Sequence, residues 1–220
     1  MDGFNWFLNG LCLVGQGVMH IAFVSRLTGK ERKLRHFAAY LSTLGIIQLV
    51  SDRLGLGGVL PVGADVLALY AVSRFLMGNQ PSLSWLAAVL AFYISQLSFG
   101  IVNSVEAALF PHFIVEPLLY LLLLAAQALV FVLCAGCYRA VRKLLSWEED
   151  GQTPSVALLL PGMFFFAAEL YILHTAYSFL VPSVSLEEAG KHGTLLLLQV
   201  MGLAALLCTL YAYRQLCQGF

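Results

Sequence analysis

Two acids, Asp65 and Glu169, fall inside long apolar stretches. A carboxyl group at the centre of a membrane helix costs about 2.5–3.5 kcal/mol on insertion scales, so it persists where it meets a cavity, a partner or a ligand. Asp65 is expected in the outer half of its span and Glu169 near the middle of its own. Together they suit either a polar binding cavity open to the outside or protonated acids hydrogen-bonded to neighbouring helices. A second polar set lies on the first apolar stretch. Asn9, Gln16 and His20 follow steps of seven and four, with Cys12 and Leu13 on the same helical face. That face should look into a bundle, as ligand contacts or as hydrogen-bonding glue between helices. A third set, Tyr171, His174, Tyr177 and Ser178, shares one face above Phe164, Phe165 and Phe166. It suits a pocket for an amphipathic ligand or an aromatic belt at the membrane interface.

Catalytic chemistry has little to stand on. Cys134-Ala135-Gly136-Cys137 has redox spacing, but that motif needs a βαβ setting. Buried small residues in a helix explain it better. No H-E-x-x-H, G-x-S-x-G or phosphate-cradling glycine loop occurs. No metal site, no cofactor and no enzyme activity of this chain are expected.

The elements holding these residues follow from composition. Hydrophobic residues make up 60% of the 220 and charged residues 11%, against about 25% charged in a soluble domain. Mean hydropathy is +0.84. Such a chain faces lipid. Without a basic patch it offers nucleic acid nothing to bind. The acid in Met1-Asp2-Gly3-Phe4 argues against a signal peptide. A span needs about 20 apolar helical residues, and the pattern predicts an all-α bundle of seven, at about 4–24, 37–50, 56–77, 83–102, 117–138, 155–181 and 194–213. Asn103–Glu116 is expected outside, with a core suited to lying along the membrane surface.

Charge sets the orientation, because cytoplasmic loops are enriched in Lys and Arg. With seven spans and the N-terminus outside, ten of the twelve basic residues face the cytoplasm, leaving only Arg53 and Lys191 outside. Fusing the second and third spans would scatter them. The C-terminus is then cytoplasmic. The cysteines lie in or beside apolar runs, so no disulfide framework is implied.

Two stripes predict packing. Ser84, Ala88, Ala91, Ser95 and Ser98 form a small-residue face on the fourth span. It should be buried, so that Ala91→Leu harms folding more than Val89→Leu. On the last span Leu195, Leu198, Gly202, Ala205, Thr209, Ala212 and Leu216 form a heptad seam. No proline interrupts it, and the helix should run unbroken to about Cys217. The seam suits pairing with its twin in a homodimer or packing within its own bundle.

The string also resembles the membrane half of GHKL-type bacterial sensor histidine kinases, similar in plan to peptide-pheromone receptor kinases. The resemblance rests on Leu8-Asn9-Gly10-Leu11-Cys12, the run from Phe92 to Gly100, Phe165-Phe166-Ala167-Ala168-Glu169-Leu170-Tyr171, and Leu210-Tyr211-Ala212-Tyr213-Arg214. It implies a multi-pass receptor module in the cell membrane, sensing an extracellular small molecule or peptide and relaying through its last helix. The kinase region would belong to a longer parent protein. No phosphoacceptor or ATP-binding motif of the family occurs among these 220 residues. A small transporter, or a substrate-binding subunit of one, is the rival expectation.

Overall fold

The computed structural model describes residues 2–56, 59–109, 116–145 and 188–218. These form α1 (Asp2–Thr28), α2 (Leu34–Leu54), α3 (Val59–Ala71), α4 (Pro81–Leu109), α5 (Glu116–Leu144) and α6 (Glu188–Gln218). No strand occurs among them. The span expected at 155–181, with Glu169, Tyr171, His174 and Tyr177, lies outside the described residues.

The other expected spans each coincide with a helix, with one difference. α3 does not run regularly to residue 77. It passes into a π-helical turn, Val72–Leu76, where the Met77 N–H bonds back to the Val72 carbonyl at 3.0 Å. Local side chains hold that wider turn. Ser73 donates to Ser84 of α4 at 3.1 Å and accepts from the Asn79 amide at 3.0 Å. Arg74 caps the segment by donating to the Asn79 carbonyl at 2.8 Å. A second difference concerns 103–109, which continues α4 rather than lying along a surface.

α2 and α3 are separate. Gly55 sits at φ 62°, and its N–H closes on the Ser51 carbonyl. That left-handed cap is open to glycine at no steric cost and ends α2. Segments of α1, α4, α5 and α6 are long and apolar enough to cross a bilayer, which marks the chain as a membrane protein. α2 and α3 fall short of that measure. α2 carries Arg35, His36, Gln48, Asp52 and Arg53, and α3 has 13 regular residues.

α4 is the central helix. In its apolar window 72% of residues are buried, against 28%, 22% and 22% in the windows of α1, α5 and α6. The stripe Ser84, Ala88, Ala91, Ser95 and Ser98 is buried as expected, but so are Leu86, Ala87, Val89 and Leu90. Val89 is therefore no lipid-facing control for Ala91, because neighbours surround α4. Small side chains on one face let other backbones approach closely.

Specific contacts fix helix directions. α1 runs antiparallel to α2, with His20 against Tyr40 and Gly17 against Leu41 and Leu44. α1 runs parallel to α5, through Phe4–Tyr120, Cys12–Gln127 and Phe23–Tyr138. α6 lies along α4, antiparallel to it, and its Arg214 donates to the Lys143 carbonyl of α5 at 3.0 Å. In consequence the C-terminal ends of α1, α5 and α6 share one end of the bundle with the start of α2. Arg26, Arg35, Arg139, Arg142, Lys143 and Arg214 all gather there. Asp52, Arg53 and Glu106 lie toward the other end.

Candidate functional site

Three helices meet at a buried polar cluster. His20 of α1 is 0% exposed. Its Nδ1 lies 2.9 Å from the Tyr40 hydroxyl of α2, and its Nε2 3.0 Å from the Ser95 hydroxyl of α4. Gln16, one turn earlier on α1, donates to the same hydroxyl at 3.5 Å. The His20 ring also packs on Phe92 with centroids 4.4 Å apart. One proton assignment satisfies every group. Tyr40 donates to Nδ1, Nε2–H donates to Ser95, and Ser95 donates to the Phe92 carbonyl at 3.1 Å.

A serine, a histidine and an orienting hydroxyl at these distances have the spacing of a nucleophile and its base. The assignment runs the other way, with the ring giving its proton toward Ser95. Ser95 and Tyr40 are also buried, so no substrate carbonyl has an approach to Ser95. The cluster can bind helices to one another, and its geometry serves that purpose.

Asp65 of α3 extends the cluster. It is half-buried and within electrostatic reach of Tyr40. Its Oδ1 is buried and has no hydrogen-bond partner among the described residues. The first-helix stripe divides. Gln16 and His20 meet Ser95, and Cys12 donates to the Gln127 amide oxygen of α5 at 2.8 Å. Asn9 is exposed.

On α6 the inward face is Gln199, Gly202, Leu206 and Leu210. Gln199 is keyed to α4. It accepts from Ser104 at 3.2 Å and its amide fills the space above Gly100. Of the expected seam, Gly202 is buried while Ala205, Thr209 and Ala212 are exposed. The Thr209 hydroxyl bonds within its own helix to the Ala205 carbonyl at 2.8 Å. The helix runs unbroken to Gln218, as expected.

Sequence reasoning missed Tyr40 and Gln199. Tyr40 was legible in principle. A short connection, 29–33, joins α1 to α2, so residues at similar distances from it, such as His20 and Tyr40, come to nearly the same level. Gln199 had a signal too, as an amide among leucines that must find a partner in a bundle.

Outside the apolar segments, His36 ties the start of α2 to the end of α3. Its Nδ1 accepts the Lys33 N–H at 3.2 Å, which closes the first turn of α2. The ring also bonds to the Leu76 backbone. Burial, then the neighbouring charges of Arg35 and Lys33, hold its pKa below 6.5. The fold therefore prefers the neutral ring. That stability is complete above about pH 6.5 and is lost as pH falls toward the lowered native value. Stability in detergent should drop between pH 7.5 and 5.5, and His36→Gln should make the slope shallower. An unchanged slope would remove His36 as its source.

No protein-family model, curated protein or solved structure matches the chain.

Proposed function

We propose that the chain is a membrane-embedded sensor module that takes an extracellular small molecule or peptide and relays its presence through α6. The observation that carries this reading is the placement of α6. It is locked to the central helix by Gln199 toward the acidic end and runs unbroken to the basic end. At 1.5 Å per residue its 31 residues extend ~46 Å, longer than a ~30 Å hydrocarbon core. A ligand acting from one side of a membrane must bias two states of something that crosses it.

The basic end is the cytoplasmic one in this reading. The N-terminus is then outside and the C-terminus inside. α5 and α6 both end at the basic end, and in this reading a span at 155–181 joins them. With α2 and α3 counted, the crossings number seven. Asp65 and Glu169, with Tyr171, His174 and Tyr177, are the proposed ligand contacts. A histidine-kinase region beyond α6 is the proposed cytoplasmic partner. The outward residues Ala205, Thr209 and Ala212 are the proposed contact with a second copy. A small transporter is the second reading, and the buried oxygen of Asp65, unpartnered among the described residues, favours it, since such a group suits a transported cation or proton.

The test has two parts in one set of membranes. Accessibility tags should place Glu187–Lys191 outside and Glu148–Asp150 inside; a cytoplasmic Glu187 would end the seven-crossing arrangement. A kinase core is then joined after Phe220 through zero to four alanines. An output helix makes autophosphorylation rise and fall with the ~3.6-residue helical period. Activity that ignores the phase would leave the transporter reading ahead.

A further inference from the structure

Two parallel helices repeat one spacing where they meet at the basic end. On α1 the residues are Met19, Ala22, Phe23 and Arg26, and on α5 they are Ala135, Tyr138, Arg139 and Arg142. Both sets advance by three, one and three, so each presents a single face. Between them lies an open cleft of about 110 Å³. Its deep part is apolar. The Phe23 and Tyr138 rings stack there with centroids 4.3 Å apart. The Tyr138 hydroxyl is committed to the Ala91 carbonyl of α4 at 2.8 Å and leaves the cleft without a polar floor. Three guanidinium groups stand at the mouth. All three arginines are exposed, and none has a carboxylate partner among the described residues. Like charges gathered this closely repel one another until an anion lies among them.

We propose that the cleft binds one acidic phospholipid from the leaflet at the basic end, its phosphate held by Arg26, Arg139 and Arg142. Arginine suits the task because its planar fork pairs with phosphate oxygens two at a time. Basic pockets between membrane helices on the cytoplasmic side are lipid-headgroup sites in general. The apolar floor fits the glycerol end of a lipid better than a fully hydrated anion. One turn deeper than Ala135, Val132 is 69% exposed and offers a surface for an acyl chain. The inference requires only that the chain sits in a membrane, and it stands apart from the signalling reading.

The full chain, purified in mild detergent, is offered phosphatidylglycerol and phosphatidylcholine with the same acyl chains, and bound lipid is counted by native mass spectrometry. Phosphatidylglycerol should be retained at least about tenfold in preference, supplied by the three arginines together. Arg139→Gln combined with Arg142→Gln should bring the preference close to parity. Arg32→Gln combined with Arg35→Gln removes the same charge from the same end outside the cleft, and should leave the preference intact. Ala22→Phe keeps every arginine but fills the cleft, and should abolish the preference while thermal unfolding confirms a folded chain. Parity in the unaltered chain, equal loss in the Arg32/Arg35 control, or full preference in Ala22→Phe would overturn the proposal. Displacement of the lipid by equimolar inorganic phosphate would also overturn it, by showing that a free anion is the ligand.

Discussion

His20→Ala is expected to destabilise the bundle by about 3 kcal/mol, among the largest effects of any single polar substitution. The ring fills space beside Phe92 with no exposure to solvent. Truncating a buried aromatic side chain removes its packing and leaves a cavity. It also leaves the Tyr40 hydroxyl without its partner, together with one of the bonds to Ser95. Interhelical hydrogen bonds in a bilayer average only ~0.6 kcal/mol, so most of the loss comes from packing. The two contributions can be separated by SDS titration in mixed micelles. Tyr40→Phe alone should cost under about 1 kcal/mol. In the double variant the losses should fall short of additive, because the bond is already gone. Strict additivity, or a His20→Ala protein within about 0.5 kcal/mol of the parent, would show that the cluster does not hold α1, α2 and α4 together.

Ala91→Leu should be at least as damaging. Ala91 is 0% exposed on the central helix, and its carbonyl receives the Tyr138 hydroxyl. A leucine brings three more carbon atoms to a place where α4 meets its neighbours. Overpacking typically costs about 1–3 kcal/mol and occasionally more. Losing the approach of α5 would add to it, so we expect about 3 kcal/mol or failure to fold. Val89→Leu should also destabilise, by less, since Val89 is itself buried and the change adds one methylene. The neutral comparison is Val132→Leu on the outward face of α5, expected to stay within about 0.5 kcal/mol. The readout is the monodisperse fraction recovered from membranes, followed by SDS titration. Equal recovery of Ala91→Leu and Val132→Leu would contradict the central placement of α4.

These expectations differ in how much of them could be read from the chain. The small-residue stripe of α4 was legible, because Ser84, Ala88, Ala91, Ser95 and Ser98 recur at helical spacing. That α4 is enclosed on its other sides was not. A membrane helix that faces lipid and one that faces other helices are both apolar, so hydropathy does not separate Val89 from Val132. The stripe of α1 shows a related limit. Helical spacing placed Asn9 with Gln16 and His20, yet Asn9 sits on the first turns of the helix, where it is exposed. A shared face does not mean shared burial along its whole length.

The sequence by itself determined the class of the protein and the apolar runs that become helices, but not where each helix ends. Apolar runs of membrane length must become helices, because a bilayer leaves backbone N–H and C=O groups no other partners. Glycines such as Gly55 end them because a left-handed residue cannot continue the hydrogen-bond ladder. The gathering of arginines at one end also followed, since alternating helix directions bring every second connection to the same side. Only the tertiary structure decided which faces meet. It turned Gln199, Leu206 and Leu210 of α6 toward α4 and left Ala205, Thr209 and Ala212 outward. It brought His20 between Tyr40 and Ser95, and it set Arg26 beside Arg139 and Arg142. Rotation of a helix about its axis changes no apolar run and no charge count. It is fixed by side-chain complementarity between segments far apart in the chain, such as the Gln199 amide fitting the space that Gly100 leaves open.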